Sequence, residues 1–312
     1  MTKSRFPTLS IQPELASALR ESGQDMREFT QLLGRDEQLF GFTDFRERGP
    51  YSTSTLYVVT QSGWDALVQQ LLEVRSVWNV ESRTLQYKSR NSWQRLWKEA
   101  IDPWLLAIKQ TPGIAICVAV SKELISRSDV REFLTEVTKS QREVGSRLTG
   151  KSLCTSMMKL TPFLVAAPAL PRRGAFAWYS DHDVLTSGAM SDIFMEYAMD
   201  LLSLGGSSLN LMFPSYQQHV RLPENVQMAL SVPDLVSGVL SDWLADRDIE
   251  TTAENTALDP AGFQLLAGLA QLSSPTETRG TKGRLHIVTL DSNVTEDGWH
   301  FDAIKLNTSA RR

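Results

Sequence analysis

Cysteine is scarce in this chain: Cys117 and Cys154 are the only two among 312 residues. Neither belongs to a CxxC pair, and both lie among apolar or small residues. A disulfide framework and a thiolate metal site therefore lack support, and both read as core thiols. Histidine is nearly as sparse. His182, His219, His286 and His300 are scattered without HExxH-like spacing, which argues against a structural zinc site. A bound metal would need carboxylate ligands. No GxSxG elbow, Cys/His pair or GxGxxG fingerprint is present, so acyl transfer and dinucleotide chemistry are unsupported. No segment is apolar over the length needed to cross a bilayer, and MTKSRFPTLSIQPELASALR at the amino terminus lacks the apolar core of a signal peptide. A cytoplasmic location without membrane contact is the expectation. Repeats, low-complexity tracts and long Gly/Ser linkers are also missing. One large domain, elaborated by insertions, fits best.

What is there is an ordinary globular composition, 42% apolar and 22% charged, which is enough to build a sizeable core. The formal net charge of -4 hides a segregated distribution. Residues 75–98 carry Arg75, Arg83, Lys88, Arg90, Arg95 and Lys98 against Glu81 alone. Residues 139–173, which include Arg147 and Lys151, are basic apart from Glu143, whereas DWLADRDIETTAENTALD over 242–259 is acidic apart from Arg247. Distinct basic and acidic faces follow, and a basic face suits a polyanionic partner.

Along the chain, QLFGFTDF (38–45) and TSTLYVVT (53–60) read as two strands joined by the turn-forming RERGPYS. Apolar residues at three- and four-residue spacing predict helices in GWDALVQQLLEVRSVW and SWQRLWKEAIDPWLLAIKQ. TLQYK between them is a candidate short strand. GIAICVAVS (113–121) is a third strand, followed by a long helical region broken near 145–150. AFAWYS (175–180) and SSLNLMF are strands four and five, separated by a helix around SDIFMEYAMDLLSL that Gly205 and Gly206 end. SVPDLVSGVLSDWLAD and DPAGFQLLAGLAQL are later helices, and RLHIVTL a last strand. A hairpin followed by alternating helix and strand predicts an α/β fold: a mixed five-stranded sheet flanked by helices, with helical insertions. It is also the strand order of the ribonuclease H-like fold. The expected division is a helical extension over 1–37, a core over 38–245 with an insertion around 62–110, and a helix and strand extension over 246–312.

Three aspartates stand out: Asp44 near the end of the first strand, Asp181 directly after the fourth, and Asp234 at the predicted start of a late helix. With strands one and four adjacent, Asp44 and Asp181 sit side by side and repel unless a cation neutralises them, which suits Mg2+ or Mn2+. Two such ions can activate water and stabilise the leaving oxygen in phosphodiester cleavage. GFTDF, AFAWYSDHD and especially MALSVPDLVSGVL resemble the bacterial domain of unknown function 3800 family, over about residues 38–245. The resemblance implies a ribonuclease H-like, metal-dependent nuclease with Asp44, Asp181 and Asp234 as catalytic metal ligands, and a setting in mobile-element or phage-defence biology. Asp183 is the alternate acid if Asp181 only closes the turn. Asp234 and Gly238 match the Asp and Gly of the family's Ala-Asp-Leu-x-x-Gly-like helix.

The departures are specific. Phe45 and Arg46 follow Asp44 where the family has Glu and Ser, and TLQYKSR keeps Lys88 of a Glu-x-Lys-like pair without its acid. A catalytically inactive nucleic-acid-binding or assembly subunit of the same fold is therefore the alternative, with the inserted helices serving a homo-oligomer or a partner protein. Each acid also has a structural explanation, since aspartates end strands and begin helices for local reasons. Ser231 three residues before Asp234 forms an S-x-x-D capping pattern. Equally, Asp234, Gly238 and Ser241 share one helix face, where a small residue permits close approach. His182 reads as a turn residue.

Nucleic-acid contact is expected from Lys88, Arg90, Arg95, Arg147 and Lys151. Trp78, Tyr87, Trp93 and Trp97 alternate with basic residues, a mixture able to grip phosphates and stack on bases. Trp93 and Trp97, four apart, equally suit a core face. GSRLTGKS (145–152) matches the P-loop pattern GxxxxGK[ST], but the polar TEVTKSQREV before it is not the buried strand a P-loop follows. Nucleotide binding through Lys151 is the third reading.

Overall fold

A computed structural model describes residues 38–48, 51–77, 86–87, 94–111, 113–122, 173–180, 208–212, 222–247, 260–272, 285–295 and 298–303, with isolated positions at 162–163, 166 and 170. The first hairpin is longer than expected. Strand β1 (Leu39–Arg48) pairs antiparallel with β2 (Tyr51–Thr60) as far as Arg48↔Tyr51, so most of RERGPYS is ladder. Only Gly49 and Pro50 lie between the strands, and two residues are enough to join a hairpin. Thr60 ends β2 and starts the next element at once. Its Oγ1 accepts a hydrogen bond from Gly63 N (3.0 Å), the N-cap geometry that lets helix α1 (Gln61–Val77) begin without a loop.

Helix α2 (Gln94–Gln110) leads into β3 (Gly113–Ser121), and its end is closed by Thr111, whose Oγ1 donates to Ala107 O (2.9 Å). Strands β4 (Arg173–Ser180) and β5 (Ser208–Met212) follow, then helices α3 (Glu224–Arg247) and α4 (Pro260–Leu272), and finally β6 (Leu285–Thr295) and β7 (Gly298–Ala303). The five expected strands lie adjacent in the order β5-β4-β1-β2-β3. β6 and β7 widen the same sheet to seven. Pairing is mixed: β1/β2, β2/β3 and β6/β7 are antiparallel, while β1/β4, β4/β5 and β3/β6 are parallel. The fold is thus α/β, a mixed sheet flanked by helices.

Burial runs continuously along β2 and β3 instead of alternating, even through Ser52 to Thr55, because both faces of the sheet are covered there. On one face, Phe40, Phe42, Tyr57, Val59, Ala115, Cys117 and Ala177 join a core with α1, α2, α3 and α4. On the other, Phe176 and Trp178 pack around Phe163, which stacks on Trp178 at 4.7 Å between ring centroids. On this second face β1 and β4 pack closely at Gly41, where a Cβ would stand 2.5 Å from the Phe176 ring.

Two expectations are corrected. In TLQYK, the described Gln86 and Tyr87 do not join the sheet; Tyr87 is buried against α3 instead. Helix α3 begins at Glu224, seven residues before the expected start, with Pro233 inside it. The chain becomes helical just after Pro223, with Gln227 N donating to Pro223 O (3.0 Å) and Glu224 suited to the positive first turn. A proline in a helix interior forfeits a backbone hydrogen bond, but burial of nearly every residue from Val226 to Ala245 holds α3 together through it. Among the described residues no helix is long and apolar enough to cross a membrane.

Candidate functional site

Asp44 lies on β1 beside α3, which reaches its backbone through Ser237, and Asp234 lies in α3 one turn before that serine. β1 places Phe40, Phe42, Asp44 and Arg46 on one side by strand alternation, and Phe40 and Phe42 belong to the core shared with α3. Ser237, one turn beyond Asp234, fixes the two elements. Its Oγ donates to Thr55 Oγ1 (2.7 Å) and also reaches Asp44 O (3.4 Å), while Thr53 Oγ1 donates to Ser237 O (3.0 Å). Thr55 is the register partner of Asp44, and Thr53 that of Arg46. Asp44 is half-buried at this junction.

The β1/β4 register runs from Leu39↔Phe176 to Thr43↔Ser180, so the residues immediately before Asp44 and Asp181 are paired neighbours. Asp181, its alternate Asp183 and His182 lie outside the described residues. So do Lys88, Arg90, Arg147, Lys151 and the whole of GSRLTGKS, as well as Cys154. Arg95 falls in the first turn of α2, with its side chain outside the described set. Among the described residues no group of three or more His, Cys, Asp or Glu side chains could hold a metal ion.

Asp234 does not cap a helix. It lies inside α3, and its Oδ2 accepts a hydrogen bond from Tyr87 N (2.6 Å), 147 residues away in sequence. Ser231, the expected cap, points into the core: its Oγ donates to Met228 O (2.6 Å) and accepts from Trp104 Nε1 (3.3 Å). The expectation that Gly238 permits close approach holds in detail. A Cβ there would stand 2.2 Å from Cγ and Cδ1 of Tyr87. One turn further, Asp242 Oδ2 accepts from the Tyr87 hydroxyl (2.6 Å). Positions 234, 238 and 242, spaced by four, thus form a strip along one face of α3 that receives the backbone, ring and hydroxyl of Tyr87 in turn.

Tyr87 therefore has a different part from the one its sequence neighbours suggest. It is 1% exposed and cannot stack on a base; the Arg46 guanidinium lies over its ring, 4.6 Å from the centroid. Asp242 and Arg46 escaped sequence reasoning as site residues. The signal that could have found Asp242 is the i, i+4, i+8 spacing of Asp234, Gly238 and Asp242. Nothing in the sequence pairs that strip with Tyr87.

Other reactive groups nearby are quiet. Burial pushes the Cys117 thiol up to about 12, against a smaller opposing effect of its hydrogen bond with Thr55, and burial likewise raises the Tyr57 phenol. A thiol held protonated is a poor nucleophile. No family model, no curated protein and no solved structure matches the chain.

Proposed function

We propose that the chain is a ribonuclease H-like, divalent-metal-dependent nuclease or phosphodiesterase, with Asp44 of β1 and Asp181, the residue that follows β4, as metal ligands and Asp234 completing the set from α3. One observation carries this reading. In the order β5-β4-β1-β2-β3, the parallel β1/β4 register pairs Thr43 with Ser180, and an aspartate follows each of them in the sequence. The resemblance in GFTDF, AFAWYSDHD and MALSVPDLVSGVL supports the same assignment of the acids.

The donors are all carboxylate oxygens, the chemistry that Mg2+ or Mn2+ prefers. A bound ion would activate water and stabilise charge on the phosphodiester oxygens. The protein's own part is orientation. The Tyr87 N–H bond holds the Asp234 carboxylate, as outer hydrogen bonds hold metal-binding carboxylates generally, and Ser237 ties α3 to the backbone of Asp44.

The test is a calorimetric Mn2+ titration beside a cleavage assay on labelled single-stranded DNA and RNA. Wild type should bind Mn2+ and cleave, and the Asp44→Asn/Asp234→Asn double variant should lose both. If wild type and double variant bind Mn2+ equally weakly, the catalytic reading fails. The second reading, a non-catalytic nucleic-acid-binding subunit, then takes its place. Phe45 and Arg46, standing where the resembled family has Glu and Ser, favour that alternative.

A further inference from the structure

Arg46 lies two residues beyond Asp44 on β1, and strand alternation puts both on the side of the sheet that faces α3. Its register partner Thr53 donates to Ser237 O, which fixes the same orientation. Arg46 is half-buried, its guanidinium rests on the Tyr87 ring, and among the described residues it makes no ion pair. The ring beneath it is immobilised from three directions: N–H to Asp234, hydroxyl to Asp242, and ring edge against Gly238.

A ring face satisfies a guanidinium only in part. Its five N–H donors point outward in the plane of the group and need acceptors, and partial burial sharpens that need. The planar fork matches the two oxygens of a phosphate, whereas a lysine offers only a point charge. We propose that Arg46, held on the Tyr87 platform, is a phosphate-binding residue that receives a backbone phosphodiester of the nucleic-acid strand presented to Asp44. This rests on the nuclease reading and deepens it. Where the resembled family carries a small hydroxyl residue, this chain has placed a cation with its own support.

The experiment is fluorescence anisotropy with labelled single-stranded DNA and RNA oligonucleotides in EDTA, where cleavage cannot intervene, over a series of salt concentrations. Arg46→Ala should weaken binding about tenfold and flatten the logarithmic salt dependence by about one phosphate's worth. Arg46→Lys should keep the salt dependence and bind with intermediate affinity. Gly238→Ala, which drives a methyl group into the Tyr87 ring, should lower affinity with Arg46 still present. Wild-type affinity and salt dependence in Arg46→Ala would overturn the inference, while the Mn2+ and cleavage results would still stand for the nuclease reading. Failure of wild type to bind either oligonucleotide would overturn both.

Discussion

Asp234 shows how one carboxylate can carry local, tertiary and functional information at once. An aspartate inside an apolar helix is expensive unless something donates to it, and here the donor is the amide of Tyr87. The Ser237 hydroxyl plays a comparable part beside Thr55, and through Thr55 the polar contacts reach Cys117. That thiol makes a pH prediction. Its pKa rises from an ordinary 9.0 to about 12 on folding, so above pH 9 the unfolded chain loses a proton that the native state keeps. Stability is fully present below pH 9 and declines as pH rises toward 12, in the sense required by proton linkage. Tyr57, also raised by burial, acts in the same direction from its ordinary value of 10.0 upward. Urea midpoints measured from pH 8 to 10.5 should fall, and Cys117→Ala should fall less steeply. A midpoint that rises over this range would contradict the burial assigned to both groups.

At the scale of elements, glycines mark where packing leaves no room for a side chain. Gly41 sits in the middle of β1, and its Cβ would stand 2.5 Å and 2.8 Å from two Phe176 ring carbons. Phe176 is wedged between Phe163 and Trp178 and is fully buried, so it has nowhere to move. Gly41→Ala should therefore destabilise the protein by about 1–3 kcal/mol, the usual result of overpacking, read as a lowered denaturation midpoint. The Gly268 contact with Leu105 differs in kind, because the atom met at 2.2 Å is the flexible end of a leucine. Gly268→Ala should be milder, and the ordering of the two variants is the measurement that checks the distinction. Helix α3 makes the complementary point: it is apolar on nearly every side because the sheet, α1, α2, α4 and Tyr87 surround it.

For the whole molecule, the seven-stranded sheet predicts a gradient of local stability. β1 and β2 are paired on both edges and buried on both faces, and α3 packs on them. β5 and β7 close the two ends of the sheet. In native-state hydrogen exchange, amides of β1, β2 and α3 should open last, near the global unfolding free energy, and those of β5 and β7 earlier. Edge strands protected as long as β1 would mean that something else covers them.

The sequence by itself determined β1 to β6 and α1 to α4 and their order, whereas β7 was not read from it. Strands 38–45, 53–60, 113–121 and 175–180 and the helices around Trp64 and Trp104 were legible because burial and periodicity leave a mark in a short window. It also indicated the close approach at Gly238. What only the tertiary structure decided are the meetings between distant segments: β6 beside β3, helix α3 starting at Glu224 rather than at Ser231, and Tyr87 lying along Asp234, Gly238 and Asp242. The capping pattern S-x-x-D misled for a physical reason, since local propensity is worth about 1 kcal/mol and the burial of a whole helix outweighs it. Residue types and their spacing state what a side chain is able to do, but the partner that uses it comes from a part of the chain 147 residues away, where no local pattern reaches.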